Sequence, residues 1–123
     1  MAARWRVMFD EPSWHVDLAS STPAARAAAL AWRRRVELLG YVPDSDVKRC
    51  DPADDRLPLP RCVKMRLPDP TTADLKRSPW GVVLEGRADN DGPFLVSIAF
   101  GLRHPEAVGS RKPSVYSLAH SRI

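Results

Sequence analysis

Tyr116 and His120 stand four residues apart in Val115-Tyr116-Ser117-Leu118-Ala119-His120-Ser121-Arg122-Ile123, just after the basic run Ser110-Arg111-Lys112. On a helix that spacing puts the phenol and the imidazole on one face. A second cationic group lies mid-chain, where Lys64 and Arg66 alternate with Val63, Met65 and Leu67. Guanidinium and ammonium groups neutralise phosphate oxygens, a phenol offers a π-face and a hydroxyl, and an imidazole moves protons near neutral pH. Together these are phosphate-handling groups. Chemistry at a phosphate ester needs a proton acceptor, a donor to the leaving oxygen, and fixed positive charge where the phosphate gains charge.

The whole chain leans the same way. Its 19 Lys and Arg against 15 Asp and Glu give a formal net charge of +4 and a pI near 9.5, which favours an anionic partner, either nucleic acid or an acidic protein. A length of 123 residues suits a single domain, 1–123, with one core. Cys50 and Cys62 flank a Pro/Asp-rich stretch and have no His or Cys at metal-ligand spacing, so a thiol pair is expected rather than a zinc site. No metal and no organic cofactor is implied. The start, Met1 to Arg6, enters a strand pattern directly, without an apolar leader or a membrane-spanning run, so a soluble cytoplasmic protein with no membrane partner is expected.

Periodicity supplies the elements that must position these groups. Trp5, Val7 and Phe9 alternate with Arg6 and Met8, the pattern of a strand with one buried face. Pro12 opens a short helical segment through Leu18, in which His15 beside Trp14 reads as structural. Thr22 is an N-cap with Pro23 at the first helical position, and Ala25, Ala29, Trp32, Val36 and Leu39 form one stripe before Gly40 ends the helix. Pro43 to Pro60 lacks periodicity and reads as a long connection. Three strands follow: Arg61 to Leu67, then Trp80 to Glu85 after the polar connection Pro68 to Ser78, then Phe94 to Phe100 after the turn Asn90-Asp91-Gly92. In the last strand Phe94, Val96, Ile98 and Phe100 are expected on one face. Ser97, Ala99 and Gly101 would then form a face small enough for another group to lie close. Trp32 and Trp80 fall on apolar stripes and are expected in the core. Pro113 reads as the start of a terminal helix with Ser114 in its first turn. The expected fold is α+β, in the order β-α-α-β-β-β-α, with helices packed on one face of an antiparallel sheet and Lys64 and Arg66 on the face away from the long helix.

The terminal stretch, with arginine in a loop followed by Val-Tyr-Ser, an alanine and Arg-Ile, resembles the C-terminal helix of RelE-type toxins, small bacterial proteins that cut messenger RNA on the ribosome. The order of elements is similar to that of the RelE/ParE fold. Lys64-Met65-Arg66 looks like the end of the basic alternation that RelE-like nucleases carry on the strand after their long connection. The resemblance implies the toxin of a toxin-antitoxin pair, a metal-independent mRNA endoribonuclease that works on the ribosome and inhibits translation, with a cognate antitoxin covering the basic surface. It places the family's loop arginine at Arg111 and its helix tyrosine at Tyr116. On that reading Arg66 and Arg111 neutralise the scissile phosphate, Tyr116 positions the nucleotide, and His120 is the first candidate acid or base. Lys64, with Arg61, Arg87, Arg103, His104 and Lys112, contributes substrate binding. The chain departs from the family at Trp80-Gly81, where those enzymes commonly carry Tyr-Arg, so one catalytic cation is missing unless Arg87 or Arg103 replaces it. The fold is also that of ParE-like toxins, which inhibit DNA gyrase without nuclease residues, and a non-catalytic interaction protein of the same fold is a third reading.

Overall fold

In the computed structural model, which describes residues 4–50, 58–68 and 78–123, the signals for the long helix act as expected. Thr22 Oγ1 accepts from Ala25 N at 3.2 Å, and Gly40 adopts the left-handed conformation (φ 80°) that closes the last turn. In chain order the elements are β1 (Arg4–Phe9), α1 (Glu11–Ala19), α2 (Pro23–Leu39), β2 (Val42–Pro43), β3 (Lys48–Arg49), β4 (Cys62–Arg66), β5 (Trp80–Asp89), β6 (Gly92–Leu102) and α3 (Val115–Arg122). Single turns of 3-10 helix occur at Asp44–Asp46 and Pro105–Val108. The α+β class therefore holds. Among the described residues no helix is long and apolar enough to cross a membrane.

Several expectations need correction. The stretch read as a bare connection from Pro43 contains β2, a 3-10 turn and β3, each too short to leave a periodic signature; residues 51–57 of that stretch, and 69–77 of the next connection, lie outside the described residues. The strands form one sheet of order β2-β1-β6-β5-β4-β3 among the described residues, and it is mixed rather than antiparallel. β1 runs parallel to β6, from Arg6 opposite Phe94 to Phe9 opposite Ser97. Everything between β1 and β6 supplies the long crossover that a parallel pair requires.

Helices also cover both faces, not one. α1 and α2 bury Trp14, Ala29, Trp32 and Val36 against Val82, Leu84, Leu95 and Phe100. On the opposite face α3 buries Val115 and Ala119 against Val83, Ile98 and Ala99. The uninterrupted apolar run Val82-Val83-Leu84 is the sequence signature of a strand buried on both sides.

A β-bulge corrects the expected face of β6. Val83 pairs with Ala99 but Leu84 pairs with Ser97, so Ile98 is the extra residue and the alternation inverts there. Phe94, Val96 and Ile98 face α3, while Phe100 joins the α1/α2 side in contact with Trp14, ring centroids 5.3 Å apart. The small residues do make room, and α3 fills it: a side-chain carbon at Gly101 would meet Leu118 Cδ1 at 3.7 Å and Val115 Cβ at 3.9 Å. At the start of α3, Ser114 is the N-cap rather than a first-turn residue, its Oγ accepting from Ser117 N at 3.1 Å.

One buried ion pair joins the layers. β1 ends at Phe9, which leaves the rest of β6 without a strand neighbour on that side. Side chains take the strand's place: Asp17 Oδ2 accepts from Phe100 N at 2.9 Å, and Arg122 Nη1 donates to Ile98 O at 2.9 Å. The two side chains also pair bidentately, at 2.8 and 2.9 Å. The bonds to Asp17 raise the Arg122 pKa, and they outweigh the burial that would lower it.

Candidate nucleic-acid interface

Antiparallel register decides which way the mid-chain cations point. Lys64 stands opposite Val83 and Arg66 opposite Gly81, and residues directly opposed share a face. Val83 belongs to the α3 side, so both cations lie on the face away from α2. Their alternation with Val63 and Met65, which pack toward the α1/α2 core, already required this.

α3 brings Tyr116 to the same place. Its N-cap Ser114 starts the helix beside the end of β6, Val115 turns inward, and Tyr116 lies half-buried with the Lys64 ammonium 5.6 Å from its ring centroid. The His104 ring, just past β6, is centred 6.4 Å from the Tyr116 ring. His104 Nδ1 is 3.9 Å from Glu106 Oε1, both groups exposed.

Gly81 explains the position of a further cation. A side-chain carbon at residue 81 would come within 2.9 Å of Arg103 Cγ and 3.2 Å of Arg103 Cδ, so the Arg103 stem occupies the space that a side chain on β5 would take. Arg103 N donates to Pro79 O at 2.7 Å, and its guanidinium Nη1 donates to Ser78 O at 3.4 Å, which together hold it there. Gly81 stands where the resembling family commonly carries an arginine, and Arg103, just past the end of β6, lies across it.

The remaining predicted residues are dispersed. Arg87 is six residues along β5 from Gly81, about 20 Å at strand rise, and its Nε donates to Glu85 Oε1 at 2.7 Å. Arg61 lies at that same end in a left-handed turn (φ 60°), with its carbonyl accepting from Gly86 N at 2.7 Å. Lys112 is turned to the Ser20 carbonyl at the end of α1. Arg111 is exposed on the loop ahead of α3. His120 shares a helix face with Tyr116, but its Nδ1 is 3.0 Å from Pro58 O and so carries a proton, leaving Nε2 as the accepting nitrogen in the neutral ring.

Sequence reasoning missed Lys48. It stands directly opposite Lys64 on the two-residue strand β3, exposed and on the same face. Like charges directly opposed in a sheet are unfavourable unless something anionic lies between them. Among the described residues no carboxylate forms an ion pair with either lysine. The available signal was the brief run Val47-Lys48-Arg49-Cys50, with Val47 packing into the core. Arg122 was noted only as part of the terminal motif; its partner Asp17, more than a hundred residues away, gave no local sign.

No three His, Cys, Asp or Glu side chains gather as a metal site among the described residues. What the described residues do bring to one sheet face is Lys48, Lys64, Arg66 and Arg103, with the Tyr116 ring near Lys64 and the His104 ring near Tyr116. Groups of these kinds can attract a polyanion, stack a base and transfer a proton. Comparison with known proteins found no matching family model, curated protein or solved structure.

Proposed function

We propose that this face binds an RNA backbone and that the protein is a RelE-type toxin, a ribosome-dependent mRNA endoribonuclease held in check by a cognate antitoxin. The observation that carries the reading is that, on the sheet face opposite α2, Lys64 and His104 lie near the Tyr116 ring while Arg66 and the Arg103 stem meet at Gly81, from three separate stretches of chain. Arg66 and Arg103 neutralise the scissile phosphate as its charge builds, Lys48 and Lys64 hold the backbone, and Tyr116 stacks or orients the nucleotide. His104 is the imidazole nearest that ring, and His120 is the second acid/base candidate. Arg111 enters from the loop before α3. An acidic antitoxin segment would cover and neutralise the same cations.

The test is controlled expression with mapping of messenger RNA 5′ ends, followed by single-turnover cleavage on programmed ribosomes in the presence of chelator. New 5′ ends that vanish in Lys64→Ala/Arg66→Ala support the reading. Gly81 itself favours the ParE-like alternative, because the early part of β5 carries no cation of its own. Intact RNA together with inhibited gyrase supercoiling would replace the first reading with that one.

A further inference from the structure

β3 and β4 meet in a register that runs on past the strands themselves. Lys48 faces Lys64 and Arg49 faces Val63, so the next opposed pair is Cys50 with Cys62. Cys50 N donates to Cys62 O at 3.2 Å, which keeps that register at the pair itself. Opposed residues of an antiparallel pair have Cα atoms about 4.5 to 5.5 Å apart, inside the range of about 4.4 to 6.8 Å that a disulfide spans. Opposed side chains also point to one face, and both thiols join the apolar cluster beneath α3. Cys62 is 4% exposed and Cys50 is half-buried; both are free thiols. Proximity and shared face therefore coincide at one place, on the same side of the sheet as Lys48 and Lys64 and one strand repeat further along.

We propose that Cys50 and Cys62 are a redox modification site that closes reversibly into an intramolecular disulfide, with a low-molecular-weight disulfide of the glutathione type as oxidant. Cys50, the more accessible sulfur, loses its proton and attacks one sulfur of the oxidant, forming a mixed disulfide and releasing one thiolate. Cys62 then loses its proton and attacks Cys50 Sγ, releasing the second thiolate. Two protein thiols are oxidised by two electrons, the small disulfide is reduced to two thiols, and the two protons end on those leaving groups. Burial pushes both protein thiols up, so thiolate is scarce and closure is slow at neutral pH. The bond ties the two-residue edge strand β3, and Lys48 with it, to β4.

The experiment equilibrates the full chain in mixtures of reduced and oxidised glutathione, quenches with acid, alkylates under denaturing conditions and weighs the intact protein. A monomer two hydrogens lighter than the reduced form, closed to alkylation and restored by dithiothreitol, is the expected product. Cys62→Ala, lacking the second thiol, should stop at the mixed disulfide, and Cys50→Ala should form neither product under the same conditions. Hydrogen exchange at the Cys50 amide should slow on oxidation of the parent protein. Two alkylatable thiols at every ratio, disulfide-linked dimers, or a parent that stops at the mixed disulfide would each overturn the proposal. Unchanged exchange at Cys50 would overturn the claim that the bond secures β3. The parent protein alone decides the main question, so misfolding of a variant leaves the outcome readable.

Discussion

Arg103 reaches across Gly81, and small changes at either residue should therefore be felt in function before they are felt in folding. Arg103→Ala removes a half-exposed cation without opening the core, and single-turnover cleavage on programmed ribosomes should slow about 100-fold, the scale for loss of one charge-stabilising donor, with an unchanged thermal transition. Gly81→Ala should lose part of the same rate, because its new carbon would lie 2.9 Å from Arg103 Cγ and displace the stem. Among the histidines, His104→Gln is expected to cost about 100-fold or more in the same assay, and His120→Gln markedly less, since Nδ1 of His120 is engaged by the Pro58 carbonyl. The opposite order would move the proton-transfer role back along α3. Cys62 gives a pH signature: burial first, then Cys50 and Glu85, raise its thiol from 9.0 to about 11 against a small lowering by Arg61. Between those values the unfolded chain holds fewer protons than the folded one, so this contribution to stability is full below pH 9 and is lost as pH rises to about 11. Urea midpoints of the reduced protein, compared with Cys62→Ala across that range, should converge as pH rises.

At the scale of elements, the pairing of Asp17 with Arg122 does what a missing strand would do for the upper part of β6. Removing Arg122 leaves a carboxylate that is 3% exposed without its cation and deprives Ile98 O of a donor. Arg122→Ala should cost about 3 to 5 kcal/mol, the usual scale for breaking a buried pair from one side, read from chemical denaturation. Its loss of activity would then track unfolding, unlike that of Arg103→Ala, which makes the two arginines a matched control. The bulge at Ile98 belongs to the same scale. By inverting the alternation it gives Phe100 to the aromatic cluster of Phe9, Trp14 and Trp32 and leaves Ala99 and Gly101 beneath α3.

For the whole molecule, apolar clusters lie on both faces of the sheet, and on the proposed reading the α3 face also binds RNA. Trp32 sits on the α2 side, 5.6 Å from Phe9 and 6.2 Å from Trp14 between ring centroids, and Trp32→Ala should cost about 3 to 5 kcal/mol through an internal cavity. Circular dichroism and denaturation would show whether that side carries the fold. The other side carries the cations, and RNA binding there should weaken steeply with salt through counterion release. Lys48→Ala should lower the slope of log affinity against log salt by about 0.7, the single-strand value for one phosphate contact, as measured by fluorescence anisotropy over a salt series. An unchanged slope would place Lys48 outside the contact surface.

The sequence by itself determined what local chemistry controls. Thr22-Pro23 and Gly40 bounded α2, the Asn90-Asp91-Gly92 turn set the hairpin of β5 and β6, and the alternation in β4 put Lys64 and Arg66 on the face away from α2, because caps, turns and strand period act over a few residues. Only the tertiary structure decided which separated groups meet. The parallel seating of β1 beside β6, the passage of Arg103 over Gly81, the opposition of Lys48 to Lys64 and the closure of Asp17 on Arg122 all join residues far apart in the chain. None leaves a periodic trace, since each is fixed by strand order and register, and those are set by the burial of both sheet faces at once.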